Sequence, residues 1–223
     1  MKQNKIIWDG KELTWSGDGK TFLRGVGEYF LNHPSFIEAY NKILSDYQPK
    51  KYYQTCLFLP CSYGKPYSQS YIHYMIIKCL KNLKEKYKKI HQVILSNAGI
   101  VPRELEEYYP FCCYDWNPKF ENPKIKEFYS KVLCKRLVSY ILKFRKYYNK
   151  YACYLRWNSD SYKAVEMVEQ QINLKISNFS LKSKDIPISE IEEIYNSCPE
   201  EDLILISPTN LKNLIQKLNE VCM

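Results

Sequence analysis

From residue 54 onward the chain alternates short apolar runs with longer stretches of helical spacing. The runs at 54–59, 92–97, 151–157 and 203–207 read as strands buried on both faces. Those at about 68–89, 127–149, 161–172, 189–197 and 209–222 read as helices, and 174–177 reads as a further short strand. Strands alternating with 10–20-residue helices imply βαβ units, so the expected fold is α/β: a largely parallel sheet covered by helices on both faces. Ahead of it, residues 5–24 read as a β-hairpin turning at Asp9-Gly10, and 34–47 as a helix with Phe36, Ile37, Tyr40, Ile43 and Leu44 on one face. No internal repeat, low-complexity tract or linker interrupts the pattern. The expectation is one α/β domain over 1–223, with a hairpin-and-helix extension over 1–50 and a core over 51–223.

Composition removes several alternatives. No apolar run approaches the ~20 residues that cross a bilayer, and the N-terminus Met-Lys-Gln-Asn-Lys lacks the apolar segment of a secretory signal. Nine cysteines form no C-x-x-C pair and only three histidines accompany them, so zinc-finger spacing is absent and a disulfide framework is not expected. A cytoplasmic protein of reduced thiols, with no membrane contact and no metal or other cofactor, is the expectation. Cys56, Cys79, Cys134 and Cys153 sit in apolar periodic segments and read as small core residues; Cys61 stands in a polar loop just past a strand.

The formal charge of +9 is unevenly spread: residues 1–184 carry +15 and residues 185–223 carry −6. Window 124–151 holds nine bases and one acid, and window 185–202 holds seven acids and no base. In the helix over 127–149, Leu133, Leu137, Ile141, Phe144 and Tyr148 recur at core-facing spacing. Lys131, Lys135, Lys143, Arg145 and Lys146 take the remaining faces, with Tyr140 and Tyr147 between them. Such a surface is either an ordinary solvated helix face or one that tracks phosphates and stacks unpaired bases. For the second reading the RNA contacts are Lys135, Arg136, Lys143, Arg145 and Lys146. The acidic window is either a solvated face or a docking surface for a basic partner.

The segment from Leu57 to His73 carries the most chemistry. A buried strand ends at Pro60, a polar loop follows, and a helix begins near Ser68 or Ser70. In doubly wound sheets ligands sit at such carboxyl ends of strands, beside helix N-termini. Ser70 and His73 are one helical turn apart and share a face, while Cys61 and Lys65 are candidate nucleophiles in the loop. The competing reading is structural: a capping Ser, a buried His and a turn Pro.

The pattern Pro60-Cys61-x₃-Lys65-Pro66-Tyr67-x₂-Ser70-x₂-His73 resembles the signature of the core catalytic domain of archaeosine synthase, a tRNA-guanine-transglycosylase-related family. A second block, Ser96-Asn97-Ala98-Gly99-Ile100-Val101-Pro102-Arg103-Glu104-Leu105-Glu106, followed by Tyr109-Pro110 and Tyr114-Asp115, is similar to that family too, as are His33-Pro34 and Tyr47-Gln48-Pro49. The resemblance covers roughly residues 30–160. It implies a uracil-DNA-glycosylase-like α/β fold and a reaction on tRNA: addition of an amine, lysine in the family or another donor, to the nitrile of 7-cyano-7-deazaguanine. It also implies a radical S-adenosylmethionine partner protein that cleaves the adduct to archaeosine.

On that reading Cys61, Lys65, Ser70 and His73 form the catalytic group. Cys61 forms a transient thioimide or shapes the strand end; Lys65 acts on the nitrile or binds phosphate; His73 or Tyr67 delivers the proton. Pro60, Tyr67, Asn97, Arg103, Glu104 and Asp115 are the expected substrate-binding residues. Members of the family also carry a transglycosylase-like module and a C-terminal PUA domain, for which 223 residues have no room. The chain is therefore expected to grip tRNA with its own basic helices or through a separate RNA-binding subunit. The alternative is a non-catalytic tRNA-binding subunit of a tRNA-modification complex.

Overall fold

The computed structural model describes residues 6–8, 11–13, 21–197 and 200–222. Strands β1 (Ile6–Trp8) and β2 (Lys11–Leu13) pair antiparallel with Trp8 opposite Lys11, so the N-terminal hairpin is present. The Asp9-Gly10 turn expected for it lies outside the described residues. After β3 (Leu23–Arg24) and the single turn α1 (Glu28–Leu31) comes α2 (Pro34–Asp46). Pro34 at its first position suits a proline, whose missing N–H would be unbonded there anyway.

The alternation then becomes a sheet. In chain order its elements are β4 (Tyr53–Leu59), α3 (Tyr71–Lys81), β5 (Ile90–Ser96) and β6 (Gly99–Pro102). A two-residue strand β7 (Tyr114–Asp115) pairs with β3 apart from this sheet. There follow α4 (Pro123–Phe144), β8 (Tyr148–Cys153), α5 (Asp160–Ile172), β9 (Ser177–Asn178), α6 (Ile188–Ser197) and α7 (Pro208–Val221). The strand order is β6-β5-β4-β8-β9; all neighbours run parallel except β6, which folds back on β5.

Side chains alternate across the central strand and separate two cores. Cys56 and Phe58 of β4 pack with α2, α4 and α5. Leu57 and Leu59 pack with α3 and α7 on the other face. Each of the fully buried Leu and Phe side chains contributes about 1.5–3 kcal/mol relative to exposure. The expected α/β class, a mainly parallel sheet with helices on both faces, is what the molecule has.

Several boundaries differ from the pattern-based expectation. The run at 203–207 is not a strand: Glu201–Ile206 is a 3-10 turn, and its Leu203, Ile204, Leu205 and Ile206 are buried beneath α3 and α7. Ser207 then caps α7, accepting from Asn210 N at 3.3 Å, so no length remains for a strand. The helix expected over 68–89 stops at Lys81, and the chain turns at Lys84, whose φ is +53°. Helix α4 starts four residues early because Asn122 accepts from Ile125 N at 2.9 Å and Pro123 opens the helix. It ends at Phe144, so that Tyr148 can enter β8 opposite Tyr53.

Candidate active site

Chain order places a topological switch at β4: the chain moves to β5 on one side, then returns to β8 on the other. Loops leaving the carboxyl ends of β4 and β8 therefore diverge and leave a crevice, the usual ligand position in such sheets. A cleft of about 440 Å³ lies there. The β4 loop supplies Cys61, Ser62, Tyr63 and Lys65, and the β5 turn supplies Asn97. From the stretch entering α4 come Tyr114, Trp116 and Glu121, and from its first turns Lys126 and Tyr129; from the connection between β8 and α5 and the start of α5 come Arg156, Ser159 and Asp160. Glu200, Glu201 and Asp202 close the wall. A second cleft, of about 360 Å³ beside β8, is lined by Arg145, Lys150 and Lys175 but by no thiol, carboxylate or imidazole.

Half-buried Cys61 is a free thiol on the wall of the first cleft. Its Sγ lies 3.2 Å from Tyr114 Oη, which belongs to a buried ring of hydroxyls. Tyr67 Oη donates to Ser96 Oγ at 2.8 Å, Ala98 N donates to the same oxygen at 3.0 Å, and Ser96 Oγ lies 3.0 Å from Tyr114 Oη. Two donors occupy both lone pairs of Ser96, so its own proton points at Tyr114. The Tyr114 proton is then free for Tyr67 Oη or Cys61 Sγ, both at 3.2 Å, and a thiolate at Cys61 would take it. Burial, and next the neighbouring Cys61, raise both tyrosine hydroxyls well above their ordinary range, so they remain donors.

Lys65 folds back over this group. Its Nζ donates to the Ser62 carbonyl at 3.0 Å and lies 4.0 Å from the centroid of the Tyr114 ring. A cation so placed is attracted to the face of the ring and confronts any anion entering the cleft.

The other sequence-derived residues are distributed differently. Asn97 lines the cleft, while Tyr67 lies one layer behind. Ser70 caps α3: it donates to Tyr67 O at 2.7 Å and accepts from His73 N at 3.4 Å. His73 is fully buried. Its Nε2 donates to Pro60 O at 2.9 Å, and its Nδ1 accepts from Arg103 Nη2 at 2.7 Å. Burial, and next the Arg103 guanidinium, hold this imidazole well below its usual range, against a smaller opposing effect of the Pro60 carbonyl. His73 is thus a neutral brace that fixes the start of the Cys61 loop, and it does not reach the cleft.

Arg103 completes that brace through Glu106 at 2.7 Å and Gln92 at 3.1 Å. Glu104 lies on the opposite face of the sheet, accepting from Tyr47 at 2.8 Å and from His91 Nε2 at 3.1 Å. Burial alone would raise that carboxyl; the hydrogen bond and charge of His91, with help from Tyr47, pull it below the usual carboxylate range. Asp115, the second residue of β7, is not among the cleft-lining residues, although its neighbours Tyr114 and Trp116 are. Lys135, Lys143, Arg145 and Lys146 are exposed. Arg136 is not: its guanidinium is buried, donating to Leu31 O at 2.6 Å and Asn97 O at 3.0 Å, and it offers nothing to a phosphate. Sequence reasoning passes over Tyr114 as a site residue, together with Ser96, Trp116, Tyr129, Arg156 and the 200–202 wall. For Arg156, Ser159 and Asp160 a signal exists, namely their position directly after a parallel strand. Among the described residues no group of three or more His, Cys, Asp or Glu side chains is placed to hold a metal ion.

Residues 37–197 match the family model described as a domain of unknown function (DUF5591). The archaeosine synthase subunit alpha of Thermoplasma acidophilum is 39% identical over 112 residues, 49% of this chain and 20% of that protein. That of Methanosarcina acetivorans is 49% identical over 61 residues, 26% of this chain and 9% of the relative. The archaeosine synthase of Methanocaldococcus jannaschii is 37% identical over 76 residues, 34% of this chain and 12% of the relative. The matched stretches thus span a fifth or less of these relatives' own lengths. In fold, the chain is similar to the crystal structure of AF0587, a protein of unknown function, with a TM-score of 0.51 at 20% identity over 80% of this chain and 48% of that one.

Proposed function

The chain belongs to the DUF5591 family as an archaeosine synthase-related domain, and on that premise we propose that it takes part in forming archaeosine in tRNA. In detail, it adds an amine, lysine being the expected donor, to the nitrile of 7-cyano-7-deazaguanine carried by the tRNA. The observation that carries this reading is Cys61 Sγ on the wall of the switch-point cleft with Tyr114 Oη at 3.2 Å.

A nitrile is a weak electrophile, and its nitrogen needs a proton as the carbon is attacked. The Cys61 sulfur bonds to the nitrile carbon while the thiol proton passes to the nitrogen, giving a thioimide. The amine then displaces sulfur, forming the amidine linkage and returning a proton to Cys61. Tyr114 stabilises the thiolate in both directions by hydrogen bonding, an interaction of about 1.5–3 kcal/mol when one partner is charged. Lys65 offers a charge near the same atoms, and the acidic wall Glu200–Asp202 suits an approaching ammonium group.

The experiment is to incubate the protein with tRNA bearing the nitrile base and with lysine, supplying candidate partner proteins in parallel. The expected result is a nucleoside heavier by one lysine, formed by wild-type and not by Cys61→Ala. No adduct under any of these conditions would refute the reading. The second reading, a non-catalytic tRNA-binding subunit, is favoured by the exposed Lys135, Lys143, Arg145 and Lys146. It predicts salt-sensitive tRNA binding that survives Cys61→Ala.

A further inference from the structure

The mouth of the cleft is divided by charge into two internally connected parts. One is the β4 loop with the stretch entering α4, joined by Cys61 on Tyr114 and Lys65 over the Tyr114 ring. The other is the end of β8 with residues 200–202, joined by Arg156, whose guanidinium bridges Glu201 at 2.7 Å and Asp202 at 2.8 Å. In the second part Asp160, Glu200, Glu201 and Asp202 outnumber that one arginine, and a phosphate chain is repelled there.

The first part has the opposite character. Residues 118–126 hold Lys119, Lys124 and Lys126 against the single acid Glu121, and all three lysines are exposed. Lys126 is shared loosely with Glu121 at 3.7 Å, while Lys119 and Lys124 have no ion pair among the described residues. Two aromatic rings stand out from the same part: Tyr63, which lines the cleft and is 67% exposed, and Phe120, between the lining residues Pro118 and Glu121 and 72% exposed. Large rings left in water at the mouth of a polar cleft bury nothing in the folded chain. Beside unpaired lysines they form the combination that single-stranded nucleic acid uses, bases stacked on rings and phosphates on cations.

We propose that Tyr63 and the 118–126 stretch are the RNA-gripping lip of this chain, stacking unpaired bases next to the nucleotide that enters the cleft. The basic face further along α4 and just past its end, Lys135, Lys143 and Lys146, is then secondary for binding. The proposal rests on the reading that the substrate is an RNA; its test reads binding and not turnover, so the two can fail separately.

The experiment measures the affinity of the whole chain for a labelled RNA hairpin with an unpaired loop, and for a fully paired duplex of equal length, across a salt series. Phe120→Ala and Tyr63→Ala each weaken hairpin binding by roughly 5- to 100-fold, the range of one unstacked base, and leave duplex binding unchanged. Phe120→Trp retains affinity. Lys119→Gln with Lys124→Gln lowers the slope of log K against log salt by about 0.7 for each phosphate no longer neutralised. Lys135→Gln with Lys143→Gln and Lys146→Gln costs less than either aromatic variant. Hairpin affinity indifferent to Phe120→Ala and Tyr63→Ala overturns the proposal, as does equal weakening on duplex or the absence of RNA binding by wild-type. Hairpin binding with these dependences, but no lysine adduct on the nitrile base, would refute only the catalytic reading.

Discussion

Two tyrosine clusters are built into this molecule from similar parts, and they differ in where they end. On the α2 and α4 side, Tyr47 donates to Glu104 at 2.8 Å, Tyr148 Oη meets His91 Nδ1 at 2.6 Å, and Tyr140 meets Tyr148 at 3.1 Å. That cluster is closed: its polar atoms face one another, and burial raises each tyrosine. At the carboxyl ends of the strands Tyr67, Ser96 and Tyr114 form a ring of the same kind, but its last hydroxyl reaches Cys61 at the cleft. Residue identity does not separate a structural network from a chemical one; a bond left open at a reachable nucleophile does.

Breaking the open end has the largest expected effect. Cys61→Ala should lower turnover on the order of 10³-fold or more, as removal of a covalent nucleophile does, while its unfolding midpoint stays within a few degrees of wild-type. Tyr114→Phe removes one hydrogen bond to the sulfur and should slow alkylation of Cys61 at neutral pH by roughly 10- to 100-fold. Its unfolding midpoint should stay near that of wild-type, a combination that mere loosening of the fold would not produce. Tyr148→Phe, in the closed cluster, should do the reverse: it leaves His91 Nδ1 without its partner and costs about 1–3 kcal/mol of stability, with Cys61 reactivity unchanged. Equal effects of the two Tyr→Phe changes on alkylation would erase the distinction between the clusters.

The smallest effect concerns the brace behind the loop. His73 is neutral and buried, with its folded-state affinity for protons depressed. Above the ordinary histidine range neither state is protonated and the group is silent. Below about pH 6.5 the unfolded chain gains a proton that the folded chain refuses, so stability falls as pH falls, by up to about 1.4 kcal/mol per pH unit. His73→Gln, which cannot titrate, should flatten this fall between pH 6.5 and 5 in denaturant titrations. An unchanged slope would mean that His73 accepts a proton in the folded state.

How much of this is legible in the sequence depends on range. β4 and β5 can be read because strands buried on both faces are continuous apolar runs, and the Cys61–Lys65 loop because it lies between such a strand and a helix. β6 and β7, of four and two residues, are too short for a periodic signal, and the buried turn at Leu203–Ile206 has the same apolar run as a strand. Tyr114 stands out in the sequence only through the family resemblance, since it meets Cys61 across 53 residues and no local pattern encodes that contact. The spacing of Ser70 and His73 is right for a shared helix face, but capping and burial use that face. Polar spacing puts Arg136 and Tyr140 outward, whereas the distant carbonyls of Leu31 and Asn97 draw Arg136 inside and Tyr140 is buried against the Tyr148 hydroxyl.

The most direct test is the mass of the intact protein after exposure to tRNA fragments bearing 7-cyano-7-deazaguanine with no amine present. A covalent adduct that maps to the Cys61 peptide, does not form on Cys61→Ala, and is released by added lysine is the predicted result. No adduct on wild-type, or an adduct of equal yield on Cys61→Ala, would contradict the assignment of Cys61 as the atom that attacks the nitrile.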